Sequence, residues 1–362
     1  MKSIDINNFI RPHLRAIETF SPADPPELQA KKAGITEDQI IRLNANENPY
    51  GFSPKVADAV ANVPYNIYPD PLQRRVRAAL AEFTGIAPDR IIGGAGSDEI
   101  IDLIFRLVIE PGDKIIDSEP TFGMYSFDAR VNGAIPVMVQ RDENFDVDVD
   151  AVKAAVDDRA KIIFLASPNN PTGNVATEAQ IEGLLDTGLL VVIDEAYWEF
   201  SGQTVAPMAQ YHENLIVLRT MSKWAGIAGL RFGYGIMSPK LVNHIIDIKQ
   251  PYNVTTASEA ALIATLEDAE YLDRNRDLIV QERERMIDLL SEIPEIEPRQ
   301  SGGNYVLCKF EPGRAGPIFE NMAMRGIFLR KFGSERLKDY FRISIGTPSD
   351  TDTVIAALRE FV

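Results

Sequence analysis

The sequence is poor in cysteine, histidine and positive charge, and it contains no long uninterrupted apolar run. Its one cysteine, Cys308, cannot close an internal disulfide, so nothing calls for an oxidising compartment. Set in the apolar run 305–310, it reads as a buried structural thiol. The histidines, His13, His212 and His244, lie far apart and outside any ligand-spaced cluster, which argues against metal catalysis. With 37 Lys and Arg against 53 Asp and Glu, the formal net charge is −16, the wrong sign for a general nucleic-acid surface. No run is long enough to span a bilayer, and residues 1–15 lack an apolar core with a small-residue cleavage site, so a soluble cytoplasmic protein is expected.

What the sequence does have is bulk: 362 residues, 45% of them hydrophobic, enough for a large core and more than one lobe. Between residues 43 and 256, short apolar runs alternate with longer amphipathic stretches, the pattern of strand–helix units around a largely parallel sheet. The expected strands are 114–118, 135–139, 162–166, 189–193, 215–219 and 232–237. Residues 98–108 read as a helix, with Ile100, Ile101, Leu103, Ile104, Leu107 and Val108 at helical spacing, a cap at Ser97-Asp98 and a stop at Pro111-Gly112. After Pro251, long charged helical segments within 259–293 and strand-like pieces at 304–310 and 340–345 suggest a smaller α/β lobe. The expected division is therefore an N-terminal arm, 1–42, packing on the small lobe or on a partner subunit; a large lobe, 43–256; and a small lobe, 257–362.

Three expected strand ends carry polar residues suited to chemistry. Thr220-Met221-Ser222-Lys223 follows the run 215–219, with Gly229-Leu230-Arg231 soon after; a lysine at an exposed strand end beside a hydroxyl and an arginine suits imine chemistry next to an anion. Alone, such a Ser-Lys pair is more often a solvated loop. Its company alters that weighting, because Ser167-Pro168-Asn169-Asn170-Pro171-Thr172-Gly173 and Asp194-Glu195-Ala196-Tyr197 end the neighbouring strands. Gly93-Gly94-Ala95-Gly96-Ser97-Asp98 adds a glycine-rich turn into a helix, where backbone N–H groups attract phosphate.

The set NPTG, DEAY, SK and GLR, in this order and spacing, resembles the fold type I pyridoxal-phosphate aminotransferases. The resemblance implies a fold with a central mostly parallel sheet flanked by helices, pyridoxal 5′-phosphate as cofactor, and Lys223 as the Schiff-base lysine. It also implies Asp194 as partner of the pyridine nitrogen, Asn170 and Tyr197 as partners of the ring hydroxyl oxygen, Ser97, Asp98, Ser222 and Arg231 at the cofactor phosphate, and Phe122 stacked on the ring.

The segments Leu43-Asn44-Ala45-Asn46-Glu47-Asn48-Pro49, Tyr68-Pro69-Asp70, Ile327-Phe328-Leu329-Arg330 and Phe341-Arg342-Ile343-Ser344 are similar to the histidinol-phosphate aminotransferases, over nearly the whole chain. That similarity implies Asn46, Arg330 and Arg342 at the substrate, with Arg342 on the glutamate carboxylate and both arginines on the phosphate of histidinol phosphate or its keto counterpart. It implies a homodimer in which Tyr68 reaches the partner subunit's cofactor phosphate, a ping-pong exchange and a place in histidine biosynthesis. Phe20 departs from the pattern, because many family members have a tyrosine there within reach of the substrate phosphate and phenylalanine offers no donor. An aromatic amino-acid aminotransferase and a decarboxylase of a phosphorylated amino acid stay open as alternatives. A transcription regulator on the same fold would need a DNA-binding module, and no basic cluster lies ahead of Leu43.

Overall fold

The structure, a computed structural model, describes residues 4–17 and 24–361. Among them are thirteen strands: β1 (Ile41–Arg42), β2 (Ile91–Gly94), β3 (Lys114–Glu119), β4 (Ile135–Gln140), β5 (Ala160–Ala166), β6 (Leu190–Asp194), β7 (Leu215–Thr220), β8 (Gly233–Ile236), β9 (Ile296–Pro298), β10 (Tyr305–Phe310), β11 (Ile327–Phe328), β12 (Arg330–Lys331) and β13 (Tyr340–Ser344). Seven form one sheet in the order β2-β8-β7-β6-β5-β3-β4. The pairs β3/β4, β3/β5, β5/β6 and β6/β7 are parallel, and only β8 runs against its neighbours. The sheet is therefore mostly parallel and mixed at one edge.

Its central strands are apolar on both faces because helices cover both. Along β5, Ile163 and Leu165 enter one core while Ile162, Phe164 and Ala166 enter the other. The helix Ser97–Val108 turns Ile100, Ile101, Leu103, Ile104 and Phe105 inward. The cap expected at Ser97-Asp98 is absent: Gly96, at φ +81°, is the cap residue and no side chain caps that end. Instead Asp98 turns to Arg231, at 2.9 Å, and Glu99 accepts the Ala95 N–H at 2.6 Å.

The helical segments expected within 259–293 are two helices, Thr256–Leu266 and the 23-residue Ala269–Ser291. Beyond them β12-β13-β10-β9 form a smaller antiparallel sheet. Strand β1 pairs with β11 in parallel as a separate two-stranded sheet, and the Ser344 N–H on β13 donates to the Leu43 carbonyl oxygen at 2.9 Å, which ties the segment entering residue 43 to the second sheet. Earlier in the chain, Arg11 and His13 both bond the Val131 carbonyl oxygen at 3.2 Å, on the helix Met124–Asn132 of the large-sheet layer. Cys308 is buried, and burial pushes its thiol up. No described helix is long and apolar enough to cross a membrane.

Candidate active site

In a parallel sheet the carboxyl ends of the strands open onto one crevice, and loops leaving there carry side chains into it. Here β5 delivers Pro168 and Asn170, β6 ends on Asp194 and leads to Tyr197, and β7 leads to Ser222 and Lys223. From β2, the glycine turn sets Ser97 and Asp98 at the start of their helix. These residues, with Phe122, Arg231, Asn46, Arg330 and Arg342, line one cavity of 520 Å³.

Asp194 is buried at its floor. Its carboxylate accepts the Tyr125 hydroxyl at 2.6 Å and the Ala196 N–H at 3.0 Å. Burial nonetheless pushes its pKa up to about 6, and the charges of Asp98 and Glu195 add to the rise. A carboxylate so placed gains from a cationic N–H partner. Tyr125 is driven well above its ordinary value by burial and then by the Asp194 charge, so it stays a neutral donor.

Lys223 donates to the Ala45 carbonyl oxygen at 2.7 Å, with its Nζ 5.9 Å from the Tyr197 ring centroid. The Tyr197 hydroxyl oxygen accepts the Asn46 amide at 3.0 Å. Ser222 accepts from Thr220 at 3.0 Å and from Arg231 at 3.3 Å. Arg231 adopts φ +52°, and its guanidinium reaches Asp98 Oδ2 at the helix start, 2.9 Å away. Glycine is favoured opposite this arginine, since Gly96 sits at φ +81°, where a side chain is strained, and a Cβ there would also lie 2.5 Å from Arg231 Nη2 and push the guanidinium aside.

The small sheet supplies the outer wall. Arg330 and Arg342 are direct partners on β12 and β13, and like charges placed opposite each other repel unless an anion joins them. Arg342 is buried, donating to the Asn44 carbonyl oxygen at 2.8 Å and to Asn170 Oδ1. Its Nε has no partner among the described residues. Burial holds both guanidinium groups below their ordinary value.

Among the described residues, one of the expected site residues stands apart from the rest. Tyr68 is 76% exposed and stacks on Tyr252 with ring centroids 4.3 Å apart, outside this cavity. Phe20 lies outside the described residues.

Tyr125 belongs to none of the motifs read from the sequence; it lies in the first turn of the helix Met124–Asn132, and its ring meets that of Phe122 edge-on, with centroids 5.6 Å apart. Equally outside those motifs is a buried cluster in which Arg141 Nη2 and the Thr121 hydroxyl bond Asn169 Oδ1 at 3.1 and 2.7 Å while the Tyr305 hydroxyl holds the Asn169 carbonyl oxygen at 2.6 Å. This cluster fixes the loop bearing Asn170. Arg141 is separated from it by 28 residues, and nothing local in the sequence marks the contact.

Residues 38–358 match the family "Aminotransferase class I and II", and the chain belongs to that family. Within it, the chain is similar to histidinol-phosphate aminotransferases: 46% identical to that of Roseiflexus castenholzii over 98% of both chains, and 45% identical to histidinol-phosphate aminotransferase 1, chloroplastic, of Arabidopsis thaliana over 98% of this chain and 86% of the relative. The crystal structure of the Sinorhizobium meliloti enzyme in complex with pyridoxal-5′-phosphate superposes with a TM-score of 0.89, at 28% identity and over 99% and 98% of the two chains. Aspartate aminotransferase from Thermus thermophilus, at 19% identity and TM-score 0.81 over 98% and 99%, shares the fold.

Proposed function

We propose that the protein moves an amino group between glutamate or 2-oxoglutarate and histidinol phosphate or imidazole-acetol phosphate, in histidine biosynthesis, with pyridoxal 5′-phosphate as cofactor. The observation that carries this reading is that one cavity is lined by Lys223, Asp194 and both arginines, Arg330 and Arg342.

The donor set fits the cofactor. Ser97, Ser222, Arg231 and the helix start behind Gly96 form a cradle for a phosphate, and the space a Cβ would fill at Gly96 is taken by the arginine. Asp194, a buried acid at about 6, suits a protonated ring nitrogen. When bound, the cofactor supplies a carbonyl carbon that joins to an amine and a protonated ring that draws electron density from the substrate Cα.

The chain's own residues do the rest. Lys223 holds the cofactor until substrate displaces it; its Nζ, then neutral, takes the proton from Cα. Asp194 keeps its charge when its ring partner carries a proton, aided by Tyr125. Asn170 and Tyr197 orient toward the ring oxygen, and Phe122 covers the ring. Arg342 takes the glutamate carboxylate, and with Arg330 it grips the phosphate of the second substrate; a planar guanidinium serves either anion with two donors. Since both substrates use one site in turn, a ping-pong sequence follows.

The active unit in this reading is a homodimer. Tyr65, Ile67, Tyr68 and Tyr252 are exposed, a patch suited to a partner surface, with Tyr68 reaching the partner subunit's phosphate cradle. We divide the chain into arm 1–42, large lobe 43–256 and small lobe 257–362, in keeping with its two main sheets, and place it in the cytoplasm.

The test is a half-reaction scan. Loaded protein is mixed with glutamate, histidinol phosphate, phenylalanine or threonine phosphate while the cofactor absorbance is followed. Glutamate and histidinol phosphate convert it fastest. Phenylalanine matching histidinol phosphate would move the assignment to aromatic amino acids, and carbon dioxide release from threonine phosphate would move it to decarboxylation.

A further inference from the structure

Asn46 is fully buried and yet sits at φ +54°, a left-handed conformation that asparagine tolerates better than most residues. Its side chain is locked by one partner on β13. The Asn46 backbone N–H donates to Ser344 Oγ at 3.0 Å. A backbone N–H can only donate, so the Ser344 hydroxyl must turn its own hydrogen elsewhere. It turns it onto Asn46 Oδ1 at 2.7 Å. The amide orientation is thereby decided: Oδ1 faces Ser344, and Nδ2 is left to donate to the Tyr197 hydroxyl oxygen at 3.0 Å. A hydroxyl whose oxygen already accepts an N–H directs its hydrogen away from that donor. Among the described residues no acceptor takes that hydrogen, and Tyr197 faces the cavity. The Asn304 side chain, holding the Asn46 carbonyl oxygen at 3.0 Å, keeps the strained backbone in place.

We infer that Ser344 and Asn46 form a positioning pair that fixes the Tyr197 hydroxyl as a hydrogen-bond donor toward the cofactor ring oxygen, 298 residues apart in sequence but closed into one ring of hydrogen bonds. This rests on the reading that Tyr197 faces that oxygen. The pair also makes Tyr197 a stronger donor, because a hydroxyl that accepts one hydrogen bond is polarised to donate another. Ser344 is two residues from Arg342 on the same strand face, and Arg342 holds the carbonyl of Asn44. The 44–46 segment is thus pinned by β13 at two points, one bearing the anion-binding arginine and one the hydrogen-bond director.

Removing Ser344 Oγ frees the amide to turn over. Oδ1 can then accept the Tyr197 hydrogen, and the donor to the ring oxygen is lost. Without that donor more negative charge stays on the ring oxygen, so the proton shared beside it is held to higher pH.

The experiment is an absorbance titration against pH of loaded protein without substrate, for parent, Ser344→Ala, Asn46→Asp, Ser344→Thr, Tyr197→Phe and the Tyr197→Phe/Ser344→Ala double variant. Asn46→Asp keeps the shape and the left-handed backbone but puts an acceptor against Tyr197. Ser344→Ala should move the transition up by about half to one pH unit, the size of one neutral hydrogen bond. Asn46→Asp should move it at least as far, and Ser344→Thr should restore the parent value. In the Tyr197→Phe background Ser344→Ala should add nothing, while each variant still binds one cofactor per chain. An unmoved transition in both Ser344→Ala and Asn46→Asp, or an equal Ser344→Ala shift with and without Tyr197, would overturn the inference and leave the proposed function intact. No shift in Tyr197→Phe itself would remove Tyr197 from the ring oxygen and overturn the inference together with that residue's part in the proposed function.

Discussion

At the scale of single residues, groups that do chemistry differ from groups that hold them in what their loss should do. Lys223→Ala should bind cofactor without a covalent bond and lose nearly all turnover, read by steady-state assay and by dialysis of the cofactor. Arg330→Ala should lower kcat/KM for histidinol phosphate by about 10–100-fold, the worth of one charge-assisted bond, with a smaller loss for glutamate. Equal losses would remove Arg330 from the phosphate. Tyr125→Phe deletes the 2.6 Å bond that helps keep Asp194 charged, so the acid should hold its proton to higher pH. Cofactor affinity should fall several-fold in a fluorescence titration, more at pH 6 than at pH 8.

The scale of elements shows why motifs could be read and their supports could not. Asn170, Asp194 and Lys223 each sit within a few residues of an apolar strand, so strand ends and site residues are legible together in the sequence. The partners that fix them are remote: Tyr125 lies 69 residues from Asp194 and Ser344 lies 298 from Asn46, and only the folded sheet brings them together. Strand β2, four residues with two glycines, has too little apolar pattern to register as a strand. The missing cap at Ser97-Asp98 has a physical reason, since Asp98 is committed to Arg231. Gly96→Ala tests this turn. Its Cβ would meet Arg231 Nη2 at 2.5 Å and sit at φ +81°, so cofactor binding should weaken at least about tenfold and stability fall by about 1 kcal/mol or more. Isothermal titration and chemical denaturation read the two effects separately.

For the whole molecule, buried acids set the pH response of the cofactor-free chain. Burial raises Asp194 to about 6, Asp117 and Asp128 to about 7 and Glu199 to about 8. Each holds its proton in the folded state across a range where the unfolded chain, near the ordinary carboxylate value of about 4, has lost it. Their stabilising contribution is fully present below about pH 4 and is lost as pH rises through these folded values. The cofactor-free protein should therefore lose Tm between pH 5 and pH 8 by this route, and Asp194→Asn should lose a few degrees less over the same interval. An identical fall in the variant would show that Asp194 ionises normally in the fold.

The covalent role of Lys223 is the claim on which the whole account turns. Protein loaded with pyridoxal 5′-phosphate, reduced with borohydride and digested, should carry the cofactor's mass on the peptide containing Lys223 and on no other. A label on a different lysine, or no label at all, would contradict it.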